Sequence, residues 1–166
     1  ERTIAAALRT GADFAEVYAE DKRNTSVALD DGRIEQVTSG RDRGAGIRVI
    51  KGDTTGFAHT SDLSEPGLAE AAAAAAAAAS QGDGQVRTVA LTPQAAQRVN
   101  TVDTYPEDIA KATKVGLMQR VDEAARSFGS EIVQVSAGYG DSRKRVLIAN
   151  SDGLLAVCRL IHLFGS

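Results

Sequence analysis

From Ser26 to Thr60 the chain reads SVALDDGRIEQVTSGRDRGAGIRVIKGDTTGFAHT, a series of short apolar runs separated by turn signals. Asp31-Gly32 divides Val27-Ala28-Leu29 from Ile34-Glu35-Gln36-Val37, and Gly52-Asp53 divides Ile47-Arg48-Val49-Ile50 from residues 54–60. Asp-Gly between two apolar runs is a strong hairpin signal, because a type I′ turn needs positive φ at both central residues. The stretch therefore predicts an antiparallel meander. Strand alternation puts Val27 and Leu29 on one face, likewise Ala45, Ile47 and Val49, with Gly46, Arg48 and Ile50 on the opposite side. Ile34 and Val37 fall out of phase by one, which fits a bulge or an edge. Gly44-Ala45-Gly46 is no dinucleotide loop: Val49 stands where a third glycine is needed, and a strand follows where a helix is needed. These glycines are expected to make a bend with close backbone approach.

The flanking segments supply the cover. Ile4 to Leu8 reads as the last turns of a helix, ended by Gly11 as a left-handed cap. A strand is expected over Phe14–Asp21, with Ala15, Val17 and Ala19 on its apolar face. Ser64 is the expected N-cap of a helix that opens with Glu65 and Pro66 and runs through Leu68 to Gln81, including the unbroken alanines 71–79. Alanine has the highest helix propensity but little apolar area, so this helix is expected to lie close against its neighbours. A long polar connection to Asp103 follows, with at most a helical turn around Gln94 to Val99. A second long helix is expected to open near Thr104 to Pro106 and end at Gly129. Its stripe Ala110, Leu117, Val121, Ala124 and Phe128 is expected to pack on the sheet. A second hairpin is expected from Ile132–Tyr139 and Arg143–Asn150 around Gly140-Asp141-Ser142, then a turn at Ser151-Asp152-Gly153 and a strand from Leu154. The fold class is thus α+β: a two-layer α/β sandwich with a largely antiparallel sheet, meander plus hairpin, covered by two long helices. The chain starts at Glu1 inside a helical pattern and stops in an apolar tail, Cys158 to Ser166, so further residues are expected at both ends.

A length of 166 residues can bury a core without staples. A net charge of −3 and the lack of a long basic stripe argue against nucleic acid as the main partner. Arg41, Arg43, Arg48 and Lys51 read as a solvated sheet face rather than an anion site. The single cysteine, Cys158, excludes an intrachain disulfide framework and suits a reducing cytosol. No apolar run has membrane-spanning character, the alanine tract being too weakly hydrophobic. Glu16 and Glu20 on one strand lie roughly 13 Å apart, too far for a catalytic dyad. The two histidines, His59 and His162, make no metal motif, and Cys158 has no histidine in a recognisable nucleophile arrangement. His59 reads as structural or solvent-facing, with a substrate-facing role as the alternative. The residues alone give an α+β domain without a self-sufficient active site.

The block RGAGIRVIKGDTTGFAHT, residues 43–60, resembles the N-terminal domain of the TldD/PmbA family, the modulators of DNA gyrase. GADFAEVY at 11–18 resembles the family's opening strand, SDLS at 61–64 the entry to its next helix, and VLIANSDG at 146–153 a later segment. TTGFA at 54–58 is similar to the TldD branch more than to the PmbA branch. The resemblance implies a cytoplasmic zinc metallopeptidase of two-domain subunits, in which TldD-like and PmbA-like chains pair as homo- or heterodimers around a cavity that admits unfolded peptides. It assigns residues 1–157 to the N-terminal domain and 158–166 to an atypical start of the next segment. It puts the HExxxH zinc motif in a C-terminal half, so no catalytic, metal or cofactor residue is expected here. Arg48, Phe57 and His59 are the residues expected to face the cavity. Two functions follow as expectations: a non-catalytic domain forming cavity wall and subunit interface, or a truncated paralogue that binds a full-length partner through its sheet edge.

Overall fold

The computed structural model describes residues 1–80, 90–94 and 102–166. The described elements run α1 (Arg2–Ala7), a 3₁₀ turn (Leu8–Thr10), β1 (Phe14–Asp30), β2 (Arg33–Lys51), β3 (Thr54–Thr60), α2 (Glu65–Ala78), β4 (Thr92–Gln94), a 3₁₀ turn (Pro106–Asp108), α3 (Lys111–Arg126), β5 (Ser136–Asn150) and β6 (Leu154–Gly165). The strands form one six-stranded sheet in the order β3-β2-β1-β5-β6-β4. β2 and β3 are antiparallel, with Ala45 opposite Thr60 and Lys51 opposite Thr54, whereas β4 is parallel to β6. Reciprocal bonds between Gly138 and Ser166 close the β5–β6 ladder at the end away from its turn. The chain is α+β and largely antiparallel, as its alternation and turns predict.

Both hairpin turns of the 26–60 stretch form where expected. Asp31 and Gly32 have φ of 45° and 76°, the positive pair that a type I′ turn requires. In the second turn only Gly52, at 56°, is positive. The strands around them are much longer than the apolar runs. β1 continues through the polar residues 21–26, and β2 crosses the Gly44-Ala45-Gly46 block as strand, where a bend was expected. The close approach is real: a Cβ on Gly44 would stand 3.1 Å from the Thr60 carbonyl oxygen.

Three further expectations are corrected. Gly140-Asp141-Ser142 is no turn but the middle of β5, and the second hairpin is β5–β6 around Ser151–Gly153. The tripeptide stays extended because its turn-forming groups have other partners: Asp141 is buried against Lys114, and Gly140 accommodates the Phe164 ring. The long connection contains a strand, Thr92–Gln94, and the rest of the turn expected at Gln94 to Val99 lies outside the described residues. The second long helix begins at Lys111, after a separate 3₁₀ turn, and its sheet-facing line is Lys114, Met118 and Asp122. Leu117, Val121 and Phe128 of the expected stripe are exposed, Phe128 at 87%.

By contact the chain divides into two units, each with its own core. Unit 1 comprises Glu1–Asp21, Arg43–Gln97 and Arg145–Arg159. Here Ile4, Ala7 and Leu8 pack with Ala15, Val17, Ile47 and Val49, with Ala71, Ala72 and Ala75 of α2 and with its C-cap, Ala79. Gly11, at φ 73°, ends the first helical segment in the left-handed region as predicted. Lys51, expected on a solvated face, is instead 6% exposed and donates to the Thr10 carbonyl at 2.7 Å, a cation satisfying the end of a helical turn. The Ser64 side chain accepts from the Gly67 amide, the predicted N-cap of α2. Ser64→Ala is expected to cost about 1 kcal/mol, read as a lower urea midpoint at unchanged slope. Unit 2 comprises Lys22–Asp42, Arg98–Lys144 and Leu160–Ser166. Its core is Val27, Leu29, Met118 and Ala137, with Ile34, Val115 and Tyr139 against it. Each unit is thus a helix layer on a strand layer.

Candidate functional site

Arg48, Phe57 and His59 come together in unit 1. Arg48 pairs with Phe57 across the β2–β3 ladder, and Gly46 pairs with His59, so all three side chains emerge on one face. Phe57 is 62% exposed, and its ring lies over Gly46, where an added Cβ would be 3.1 Å away. The His59 ring stacks on it with centroids 6.3 Å apart. Arg48 Nη2 donates to Glu16 Oε1 at 3.2 Å, and its guanidinium sits 5.8 Å from the centre of the Phe14 ring. Glu20 accepts from the Tyr18 hydroxyl at 2.8 Å. The two carboxylates thus have different partners. The result is an aromatic and cationic platform on one face of the β2–β3 ladder.

A second arrangement, in unit 2, was missed in the sequence. Arg23, Asn24 and Thr25 of β1, Ser39, Gly40 and Arg41 of β2, Glu107 and Ile109, and Lys111 and Lys114 of α3 line a cleft of about 420 Å³. Its charges are unevenly met. Lys114 Nζ donates to Asp141 Oδ2 at 2.6 Å, with the two side chains only 3% and 4% exposed. Glu107 is ion-paired with Arg143, whose guanidinium lies 5.2 Å from the centre of the Tyr105 ring. The Nε of Arg23 and both carboxylate oxygens of Glu107 are buried and have no hydrogen-bond partner. A buried donor in that state costs about 1–3 kcal/mol if nothing else meets it. The basic residues come from three separate segments, so no local spacing could have revealed them.

Tyr139 flanks the buried pair, with Lys114 Nζ 5.7 Å from its ring centre. Burial, then a hydrogen bond and repulsion from the Asp141 carboxylate, push its phenol up to about 12 from 10.0. The folded chain holds this proton more tightly than the unfolded one. Its contribution to stability is complete below pH 10 and is lost as pH rises towards about 12. Urea midpoints measured across that range should fall more steeply for the parent chain than for Tyr139→Phe.

The described residues do not fit a zinc site. Among the described residues no group of three or more His, Cys, Asp or Glu is placed to hold a metal ion. His59 belongs to unit 1 and His162 to unit 2. Among the described residues, no helix is long and apolar enough to cross a membrane.

Residues 15–79 match the family profile described as PmbA/TldA metallopeptidase domain 1, and residues 104–162 match the PmbA/TldA metallopeptidase central domain. A metalloprotease TldD homolog of Haemophilus influenzae is 31% identical over 149 residues, covering 87% of this chain and 30% of that protein. A metalloprotease of Methanothermobacter thermautotrophicus is 29% identical over 143 residues, covering 86% of this chain and 31% of its own length. The chain thus spans under a third of the curated relatives described here. The fold is shared with TldE from Thermococcus kodakarensis, at a TM-score of 0.73 and 19% identity over 99% of this chain and 36% of that one. A candidate modulator of DNA gyrase from Bacteroides thetaiotaomicron superposes at a TM-score of 0.78 and 16% identity, over 99% of this chain and 38% of that one. With two domains of one family matched in order along it, the chain belongs to the TldD/PmbA metallopeptidase family.

Proposed function

We propose that the chain is the N-terminal, non-catalytic part of a TldD-like zinc metallopeptidase, forming cavity wall and subunit interface. The carrying observation is the pairing of two family matches with a donor set that, among the described residues, does not fit a metal. Hydrolysis of unfolded peptides, and the zinc it uses, then belong to parts of the enzyme outside these 166 residues. The exposed Phe57 of unit 1, and the exposed Phe128, Val133, Leu163 and Phe164 of unit 2, support a role in a larger assembly, since large apolar side chains left in water favour burial against a partner. Arg48, Phe57 and His59 are the proposed cavity-facing residues, and the single cysteine supports a cytoplasmic enzyme. Incubation of the chain with zinc and an unfolded peptide should give no cleavage. Reproducible, chelator-sensitive cleavage would sink the proposal.

The sheet edge supports a second reading, a binding module for a full-length TldD or PmbA partner. β3 is the outermost strand beside β2, and an outer strand offers its backbone to another chain. Co-elution with such a partner from a sizing column, lost when Thr55 or Phe57 is replaced by proline, favours this reading. Indifference to the partner counts against it. Tight, salt-sensitive DNA binding would overturn both readings in favour of a nucleic-acid role.

A further inference from the structure

We propose that the outer edge of β3 joins two copies of this chain, β3 pairing antiparallel with its own equivalent across a two-fold axis at Phe57. The proposal rests on the edge reading above for its place in unit 1 and commits that edge to a different partner, a second copy. The register of the β2–β3 ladder decides which backbone groups are left over. Lys51 and Thr54 flank the two-residue turn, so bonded pairs recur at Val49 with Gly56, Ile47 with Ala58 and Ala45 with Thr60. The Ile50 carbonyl accepts from the Asp13 amide instead, as that alternation requires. Thr55, Phe57 and His59 therefore direct their N–H and C=O groups away from β2, on the outermost strand of the sheet among the described residues. These three residues are centred on Phe57, so the same strand turned end for end matches them. Thr55 then opposes His59 of the second copy and Phe57 opposes Phe57, and each pair exchanges two backbone bonds.

The side chains fit the same partner. Residues 54–60, TTGFAHT, include no Asp, Glu, Lys, Arg or Pro, the residues that ordinarily guard a sheet edge. Such a strand meets its own copy without like charges in register. Phe57 is 62% exposed with its ring against Gly46, so two such rings would meet beside the axis and leave water together. Arg48 lies one strand further in and is already bonded to Glu16. Its two copies would stand about 14 Å apart, three strand spacings, where salt screens them. On the other face of the sheet α2 rests on Gly56, and its exposed residues 73, 74, 77 and 78 are all alanine. Side chains that short let helix axes approach to about 8 Å, so a second α2 can lie alongside.

The test is sedimentation equilibrium of the 166-residue chain up to millimolar concentration. The parent chain should form a dimer. Thr55→Pro should weaken it about tenfold or more, because proline removes an outward N–H and leaves the ladder to β2 intact. Phe57→Asp and Phe57→Lys should each weaken it about a hundredfold, since each sets like charges against one another at the axis. An equimolar mixture of those two variants should dimerise again, because an aspartate then faces a lysine. Phe128→Asp, at a still more exposed ring in unit 2, should change nothing. Cooperative urea unfolding of every variant establishes that each one folds. A parent chain that stays monomeric, a dimer that ignores the substitutions in β3, or a mixture no better than its components would each overturn the proposal. Co-elution separates that failure from failure of the edge reading: a monomer that still captures a full-length TldD or PmbA chain, and loses it with Thr55→Pro, overturns the second copy as occupant and keeps the edge.

Discussion

Gly56→Ala is expected to destabilise the chain by about 3 kcal/mol, the upper end for overpacking a tight contact. The added methyl would stand 2.0 Å from the Ala75 carbonyl oxygen and 2.8 Å from the Ala79 amide nitrogen. Those two atoms are bonded to each other at 3.1 Å in the last turn of α2, so neither can yield without lifting the helix or breaking the bond. Gly140→Ala provides the contrast. Its methyl would also come within 2.0 Å of a neighbour, but that neighbour is the Phe164 ring, which is 66% exposed and can swing outwards. Its cost should be about 1 kcal/mol or less. Urea denaturation of both variants decides the matter. Equal losses would mean that the helix backbone is no more fixed than a surface ring.

This contact explains the alanine tract better than propensity alone. Ala71, Ala72, Ala75, Ala76 and Ala79 are buried, and with side chains this small the backbone of α2 rests almost directly on β3. Close packing was foreseen from the composition of residues 71–79; the glycine that receives the helix was not. Gly56 sits in a run, Thr54 to Ala58, with no local sign of what approaches it.

Signals confined to a few neighbouring residues were legible: Asp31-Gly32, Gly11, the Ser64 cap, and the alternation that unites Arg48, Phe57 and His59. What failed was reading every polar or glycine-rich tripeptide as an interruption. Residues 21–26, 44–46 and 140–142 all lie within strands, because pairing along a sheet overrides weak local preference. The helix α3 misled in a different way. Its sequence offers an apolar line at Leu117, Val121, Ala124 and Phe128, and a second at Lys114, Met118 and Asp122 that looks too polar for a core. The second is buried because Asp141 and Arg126 supply the missing charges, from a strand and from the next helical turn. The family resemblance was carried by residues 43–60, yet the cleft lies among residues from other segments, which explains why it went unseen. The block that suggested a nucleotide loop is a strand that carries one side of the Arg48, Phe57 and His59 platform.

Lys114→Met is expected to cost about 3–5 kcal/mol, because it leaves the Asp141 carboxylate buried without its counter-charge. Asp141→Leu should cost a similar amount by stranding the ammonium. The double variant is expected to recover most of the loss, since two apolar side chains need neither partner nor water, and Val115 and Met118 already make that wall apolar. The control is Arg2 with Glu65, also 2.6 Å apart but with side chains 83% and 65% exposed. Water and salt screen that pair, and its double-mutant cycle should give no measurable coupling. For Lys114 and Asp141 a coupling of about 5 kcal/mol or more is expected from urea denaturation of the four chains, because the single losses would sum to about 6–10 kcal/mol and the double variant should lose only about 1. Additive losses would show that each residue acts through separate contacts. Near-complete recovery would mean that the pair is dispensable for holding α3 on the sheet.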